Sequence, residues 1–210
     1  MGHHTERIRL TTSDGLHLDG DLSAPDGPGA PSAAAVVCHP HPLYGGDRRN
    51  PVVGAAVRGL LDVGAATLTF DFRGVGASEG VHGRGVDEVH DVAAALDEIA
   101  MRFPGVPLWL GGYSFGSIMA MSVADQRVAG WIGIAPPLAA MGGRPAAADD
   151  PRPVHLLVSG HDQFSPPDAT AALTEGWAAT TTTVLPSADH FLAGHLDAVA
   201  RFVATAVAAT

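Results

Sequence analysis

The sequence predicts an α/β fold, a mostly parallel central sheet with helices on both faces, preceded by an antiparallel hairpin. Two observations carry this. Beyond Pro31, short unbroken apolar runs alternate with longer segments of helical periodicity, and strands covered on both faces read as continuous apolar runs rather than as in–out alternation. Before Pro31, by contrast, the chain alternates about a Ser13-Asp14-Gly15 turn. The length of 210 residues, with 46% hydrophobic and 16% charged residues and no repeat or low-complexity linker, fits one domain over residues 1–210.

Taken in order, Arg7–Leu22 reads as the hairpin and Pro25–Pro31, crowded with proline and glycine, as a surface loop. The buried strands are expected at Ala33–Cys38, Ala66–Phe72, Val106–Leu110, Val128–Ala135, Pro153–Ser159 and Thr181–Leu185. Helices are expected between them at Pro51–Val63, Asp87–Arg102, Phe115–Ala124 and Asp168–Ala178, with a last one over Leu192–Val207. In Asp87–Arg102 the residues Val89, Val92, Ala93, Leu96, Ile99 and Ala100 fall at three-four spacing, an amphipathic face. In such sheets the ligand crevice lies beyond the carboxyl ends of the strands, so chemistry is sought just after each apolar run.

The bulk numbers exclude several function classes. A net charge of −10 without a basic run argues against a nucleic-acid partner and against anionic membranes. The one cysteine, Cys38, forms no intrachain disulfide and excludes the Cys-rich zinc patterns; it reads as a small buried strand residue. Met1–Thr12 lacks the apolar core of a signal peptide, and no apolar run approaches the roughly 18 residues of a membrane span. A cytoplasmic protein without a membrane partner is the expectation.

The pattern G-x-S-x-G occurs twice, at Gly76–Gly80 and at Gly112–Gly116. The motif works when a buried strand enters it and a helix leaves it, holding the serine on a sharp, strained turn. Ser114 has both neighbours. Ser78 lies six residues past Phe72 and is followed by Val81-His82-Gly83-Arg84-Gly85, too glycine-rich to start a helix at once. Ser114 is therefore the candidate nucleophile, with the amides of the helix beginning at Phe115 favouring negative charge beside it.

Cys38-His39-Pro40-His41-Pro42-Leu43-Tyr44-Gly45-Gly46 follows the first parallel strand, the place from which an oxyanion-stabilising backbone N–H comes in proteins with such a turn. Pro40 and Pro42 have no N–H to give, so the loop donor is expected to be His41 or a residue just outside the prolines; the other expected donor is the amide of Phe115. His39 and His41 on one face of an extended segment are also weighed as metal ligands. No third ligand is evident nearby, so the preferred reading has their rings bracing the loop and no metal bound.

A serine nucleophile needs a base and an acid that orients the base. Downstream of Ser114, only Asp162 among the acids sits in a loop just past a buried run, Ser159-Gly160-His161-Asp162. Asp149 and Asp150 lie at the wrong end of that strand, and Asp168 is expected to cap the next helix. His190 follows the last strand and is preferred over His195, which is expected inside the final helix. Asp189 is assigned to solvent or to a cap.

With these residues identified, the chain resembles the α/β-hydrolase superfamily along almost its whole length. More narrowly, it is similar to small lidless bacterial hydrolases with a His-Pro-His-Pro loop, related to dienelactone-hydrolase-like and prolyl-oligopeptidase-like branches. The residues carrying the resemblance are Cys38–Gly46, Phe70–Gly80, Gly112–Gly116, Gly160-His161-Asp162 and Ala188-Asp189-His190-Phe191. The resemblance implies a Ser114–Asp162–His190 triad and a structural role for Arg73 and Ser78. The similarity of His39-Pro40 to the His-Gly pair of hydrolases implies the His41 amide as the loop donor. Relatives often carry a second acidic residue beside the aspartate, where this chain has Gln163. Serine at position 114 excludes the cysteine and aspartate nucleophiles of true dienelactone hydrolases and haloalkane dehalogenases.

The implied reaction is acyl transfer to water through an acyl-enzyme, without a metal or organic cofactor, on a small acyl ester. Thioesterase, amidase, peptidase and acyltransferase activities share the same machinery, and a catalytically silent binding protein on this fold is the rival from another class. Only about 17 residues separate Ala135 from Pro153, where such hydrolases insert a lid. An open site follows. Tyr44, Met141 and Phe164 are candidates to line it, a buried packing role being the competing expectation.

Overall fold

Ala34–Cys38 is buried at every residue, and its side chains divide strictly by parity. Ala34, Val36 and Cys38 enter one apolar core; Ala35 and Val37 enter a second on the opposite face. This is the behaviour of a central strand with both faces covered. The computed structural model describes residues 2–208.

The hairpin strands β1 (His3–Thr11) and β2 (His17–Pro25) pair antiparallel, and β2 continues antiparallel onto β4 (Ala66–Phe70). From there the ladder is parallel: β3 (Ala34–Cys38), β5 (Leu108–Tyr113), β6 (Val128–Ile134), β7 (Val154–His161) and β8 (Thr180–Asp189). The eight strands stand in the order β1-β2-β4-β3-β5-β6-β7-β8. The chain leaves β3 to one side for β4 and returns on the other side for β5, so the sheet has its switch point between β3 and β5. There Cys38 is level with Gly112, which delivers the loop after Cys38 and the turn after Tyr113 to the same crevice.

Helices α2 (Glu88–Arg102) and α3 (Phe115–Ser122) cover one face, burying Val92, Leu96, Ile99, Phe115, Ile118 and Met119 against it. Helices α1 (Pro51–Asp62) and α6 (Leu196–Ala208) cover the other through Val52, Val53, Leu60, Val199 and Val203. Asn50 caps α1 by accepting the Val52 N–H at 2.9 Å, and Pro51 occupies the first turn, where a missing N–H costs nothing. Between β6 and β7 lie only the short helix α4 (Leu138–Met141) and a 3-10 turn, Ala146–Asp149. No helix among the described residues is long and apolar enough to cross a membrane.

Several boundaries differ from the sequence expectation, the hairpin included, which spans His3–Pro25 rather than Arg7–Leu22. β5 runs on through Gly111 and Gly112 to Tyr113, because both glycines lie between paired neighbours rather than in a loop. β8 passes Pro186 to reach Asp189; as the edge strand it tolerates a residue with no N–H to donate. Helix α5 (Pro167–Thr174) stops before Gly176, whose φ is +77°. The last helix starts at Leu196 rather than Leu192, which has φ +57° and turns the chain with Gly194 at φ +77°.

The two buried arginines, Arg48 and Arg73, are each paired with buried carboxylate. Asp91 is wholly buried and takes the Arg73 backbone N–H at 2.9 Å, its Nε at 2.9 Å and its Nη2 at 2.7 Å. Burial raises the Asp91 pKa, and the Arg73 guanidinium opposes that rise. On its outer side Arg73 holds Asp14, lowering the Asp14 pKa to about 2. Removing one partner of a buried pair strands the other. Arg73→Met is therefore expected to lower the unfolding free energy by about 3–5 kcal/mol, measured by urea denaturation. Arg102→Met, at an exposed pairing with Glu6 and Glu98, should stay within about 1 kcal/mol.

Candidate active site

β5 ends and α3 begins with one residue between them, Ser114, at φ +52° and ψ −124°. A non-glycine residue there is strained, and close packing holds it in place. A Cβ on Gly112 would come within 2.4 Å of the Gly116 carbonyl, and one on Gly116 within 2.4 Å of the His39 oxygen. The turn thus closes on itself and against the loop after β3 with no room for a side chain at either glycine. Behind it, the Ser117 hydroxyl and N–H both donate to the Ser114 oxygen, at 2.6 and 2.9 Å.

The structure brings Ser114, His190 and Asp162 into one hydrogen-bonded chain. Ser114 Oγ lies 2.8 Å from His190 Nε2, and His190 Nδ1 lies 2.7 Å from Asp162 Oδ2. The network assigns the tautomer: with Nδ1–H donating to the carboxylate, Nε2 is free to accept from the serine. All three side chains are buried or nearly so. Where the sequence carries Gln163 rather than a second acid, the other Asp162 oxygen is held by main chain, accepting the Phe164 N–H at 2.8 Å and the Ser165 N–H at 3.1 Å. The imidazole is bounded by Phe164, 4.6 Å between ring centres, and Phe191, 5.8 Å.

The loop after β3 folds back through a 3-10 turn, Pro42–Tyr44. Tyr44 and Gly46 both donate their N–H to the His41 oxygen at 3.1 Å, and a Cβ on Gly46 would lie 2.1 Å from the Pro40 oxygen. His39 and His41 point to different places. His39 is fully buried, with Nε2 accepting the Phe72 N–H at 3.0 Å and Nδ1 donating to the Pro40 oxygen at 2.6 Å. Both its ring nitrogens are engaged by main chain, so it has no lone pair left for a metal. His41 accepts the Leu43 N–H at 3.2 Å and packs its ring on Phe115, 4.9 Å between centres. Phe115, as the first residue of α3, has no carbonyl one turn back to take its N–H.

Arg48 ties this loop to the sheet. Its N–H donates to Asp71 Oδ1 at 2.9 Å, its Nε to Asp21 at 2.7 Å and its Nη2 to Asp19 at 2.8 Å, while Nη1 also meets Asp71. Ser78 is buried and fully committed to structure, its hydroxyl donating to the Asp71 oxygen at 2.7 Å and accepting the Asp19 N–H at 3.0 Å.

These residues open onto a cleft of about 760 Å³. Tyr44, Met141 and Phe164 all line it, with Phe191, Pro137 and Asn50, and Tyr44 is 87% exposed rather than buried. Two expectations are corrected. Asp168 lies inside the first turn of α5, where the cap position is held by Pro166. His195 precedes α6 instead of lying within it. Asp189 accepts the N–H groups of Phe191 and Leu192 at 3.0 and 3.1 Å, shaping the turn beyond His190. Sequence reasoning missed Tyr113, whose hydroxyl donates to the His190 oxygen at 3.0 Å. Its place inside the Gly112–Gly116 motif was the available signal, but the partner lies 77 residues away.

Two solved structures share this architecture at a level above fold alone. An α/β serine hydrolase homologue from Coxiella burnetii superposes with TM-score 0.85 at 29% identity, covering 96% of each chain. A lidless α/β serine hydrolase from Xanthomonas campestris superposes with TM-score 0.86 at 27% identity, covering 98% of this chain and 94% of that one. The chain belongs to the α/β-hydrolase superfamily. Within it, residues 52–148 match the family described as serine aminopeptidase, S33. An uncharacterized protein of Rickettsia prowazekii is 40% identical over 124 residues, which are 58% of this chain and about half (51%) of the Rickettsia protein. The fold alone is shared with Est1E of Butyrivibrio proteoclasticus, TM-score 0.82 at 18% identity over 96% of this chain and 98% of that one.

The interior of the protein also makes its acid stability predictable. Burial lowers the His39 pKa from 6.5 to about 4. Below pH 6.5 the unfolded chain binds a proton at this site that the folded chain refuses until about pH 4, so stability falls as the pH drops through that window. Wild type should lose about 3 kcal/mol more than His39→Gln between pH 7 and pH 4, read from urea denaturation at each pH. Equal losses in the two proteins would contradict the assignment.

Proposed function

We propose that this serine hydrolase is a carboxylesterase-like enzyme that cleaves small neutral acyl esters through Ser114, His190 and Asp162. The observation that supports it is the Ser114–His190–Asp162 hydrogen-bond chain, 2.8 and 2.7 Å long, on the floor of an open apolar cleft. In the proposed reaction Ser114 Oγ attacks the ester carbonyl carbon while His190 Nε2 takes the hydroxyl proton. Asp162 keeps the imidazole in its tautomer and balances the imidazolium. The His41 and Phe115 amides receive the oxyanion. Collapse of the tetrahedral intermediate breaks the bond to the alcohol, which leaves with the proton from His190. Water then repeats the sequence on the acyl-enzyme, releasing the acid and restoring Ser114. Every step uses groups of this chain.

The cleft favours esters over peptides with a free amino terminus. Its lining is Pro40, Tyr44, Phe115, Pro137, Met141, Phe164 and Phe191 with a few uncharged polar groups, and none of the lining residues is Asp, Glu, Lys or Arg. An α-ammonium group would find no carboxylate there and a phosphorylated carrier no cation, and an unpaired charge is costly in such surroundings. Tyr44, Met141 and Phe164 are the proposed substrate contacts. The Est1E structure holds ferulic acid, an aromatic acid, and an aromatic acyl group is compatible with the rim of this cleft.

Treatment with a fluorophosphonate is expected to label Ser114 alone, and Ser114→Ala is expected to lose roughly 10⁴-fold or more in kcat on p-nitrophenyl butyrate. Aminoacyl arylamides and acyl-CoA should be poor substrates. Labelling at Ser78, or unchanged turnover in Ser114→Ala, would sink the proposal; absence of labelling would favour a silent binding protein.

A further inference from the structure

The glycine-rich segment after Ser78 has no part in the reaction above, yet it is organised around a buried carboxylate beside the site. Glu88, the first residue of α2, is fully buried and accepts the Gly83 N–H at 2.7 Å and the Gly85 N–H at 2.8 Å. His82 Nδ1 stands 2.7 Å from the same carboxylate, off the axis of its N–H, with its side chain 9% exposed. Arg84 at φ +58° and Gly85 at φ +81° curl the backbone around the acid. A carboxylate held by two main-chain amides of one loop is a rigid anchor, and burying it would be costly without those contacts.

Against this carboxylate stands the His82 ring. It packs 4.9 Å from His41 and 5.6 Å from Phe115, centre to centre, and those two rings are themselves 4.9 Å apart. The three rings form one cluster behind the two residues whose amides receive the oxyanion in the reaction proposed above. Backbone donors are effective only when aimed at the position the oxyanion will occupy, and small displacements are costly.

We infer that His82, fixed by Glu88, is a positioning residue for the oxyanion-binding amides of His41 and Phe115, an inference that rests on the esterase reading. The pair touches neither substrate nor the Ser114–His190–Asp162 chain; it sets where His41 and Phe115 stand. Its loss should weaken binding of the transition state while leaving binding of the ester in its ground state intact.

The test compares wild type, His82→Ala and Glu88→Gln on p-nitrophenyl butyrate, and measures inhibition by a trifluoromethyl ketone. Ser114 Oγ adds to the ketone carbon and the carbonyl oxygen becomes the oxyanion, the serine proton passing to His190. In His82→Ala, kcat is expected to fall about tenfold with KM within about twofold, and Ki for the ketone to rise about tenfold in parallel. Glu88→Gln keeps the shape and one acceptor oxygen and should show the same parallel change at smaller amplitude, so it serves if His82→Ala does not fold. Unchanged kcat in both variants, a loss confined to KM, or a fall in kcat without a matching rise in Ki would overturn the inference. Fluorophosphonate labelling of wild type at Ser114 separates the two levels: no reaction there removes the esterase reading, whereas a reactive wild type with unaffected variants removes only the role of His82.

Discussion

The close approach of two backbones, Gly112 to Gly116 and Gly116 to His39, is the constraint on which the site depends. It forces Ser114 to φ +52° between a buried strand and a buried helix, and it presses the turn against the loop after β3. A serine at the end of an unstrained strand would point along the sheet. Here the turn lifts Oγ out toward His190 and leaves the Phe115 amide unspent at the start of α3. Nucleophile position, helix amide and loop amide are consequences of one contact. The strain persists because β5 and α3 are both fixed by two-sided burial, so the surrounding structure over-determines the turn.

A second layer supports the first from below. Arg48 gathers Asp19, Asp21 and Asp71 under the loop after β3, and Arg73 gathers Asp14 and Asp91 under the next loop. Burial raises the pKa of both Asp71 and Asp91, and the arginines oppose it. These ion pairs tie the two loops to their surroundings, and they do so without placing a charged side chain in the cleft itself. His39 completes this layer as a neutral buried base whose two nitrogens bond only to main chain.

The features legible in the sequence are those written within a few residues. Apolar runs ending in short polar stretches located Ser114 and Asp162 at strand ends, and chain order placed His190 after the last strand, which is largely exposed. The flanking strand and helix separated two serine motifs whose glycine spacing is the same. The antiparallel hairpin and the parity of β3 were legible for the same reason. What remained hidden depends on partners far along the chain or on backbone angles that residue type does not announce. Tyr113 reaches His190, Ser78 reaches Asp19, and Leu192 at φ +57° delays the last helix with no glycine at its own position. The short lid segment was legible as length, and Met141 within it, a candidate to line the site, stands in the cleft lining.

The same logic explains why Val81-His82-Gly83-Arg84-Gly85 reads as mere loop. In sequence its glycines argue only against a helix. In three dimensions Gly83 and Gly85 are the residues whose N–H groups turn inward onto Glu88, and Glu88 lies inside the polar flank of a helix that periodicity assigns to solvent. A carboxylate at 0% exposure on that flank is a departure from the helical pattern that only burial reveals. Such departures are where local rules yield to a site. The segment that disqualifies Ser78 as a nucleophile is thereby the segment that frames the loop opposite Ser114, and the two serine motifs occupy one site in different capacities: Ser114 faces the cleft, and Ser78 pins the strand end from which the framing loop departs.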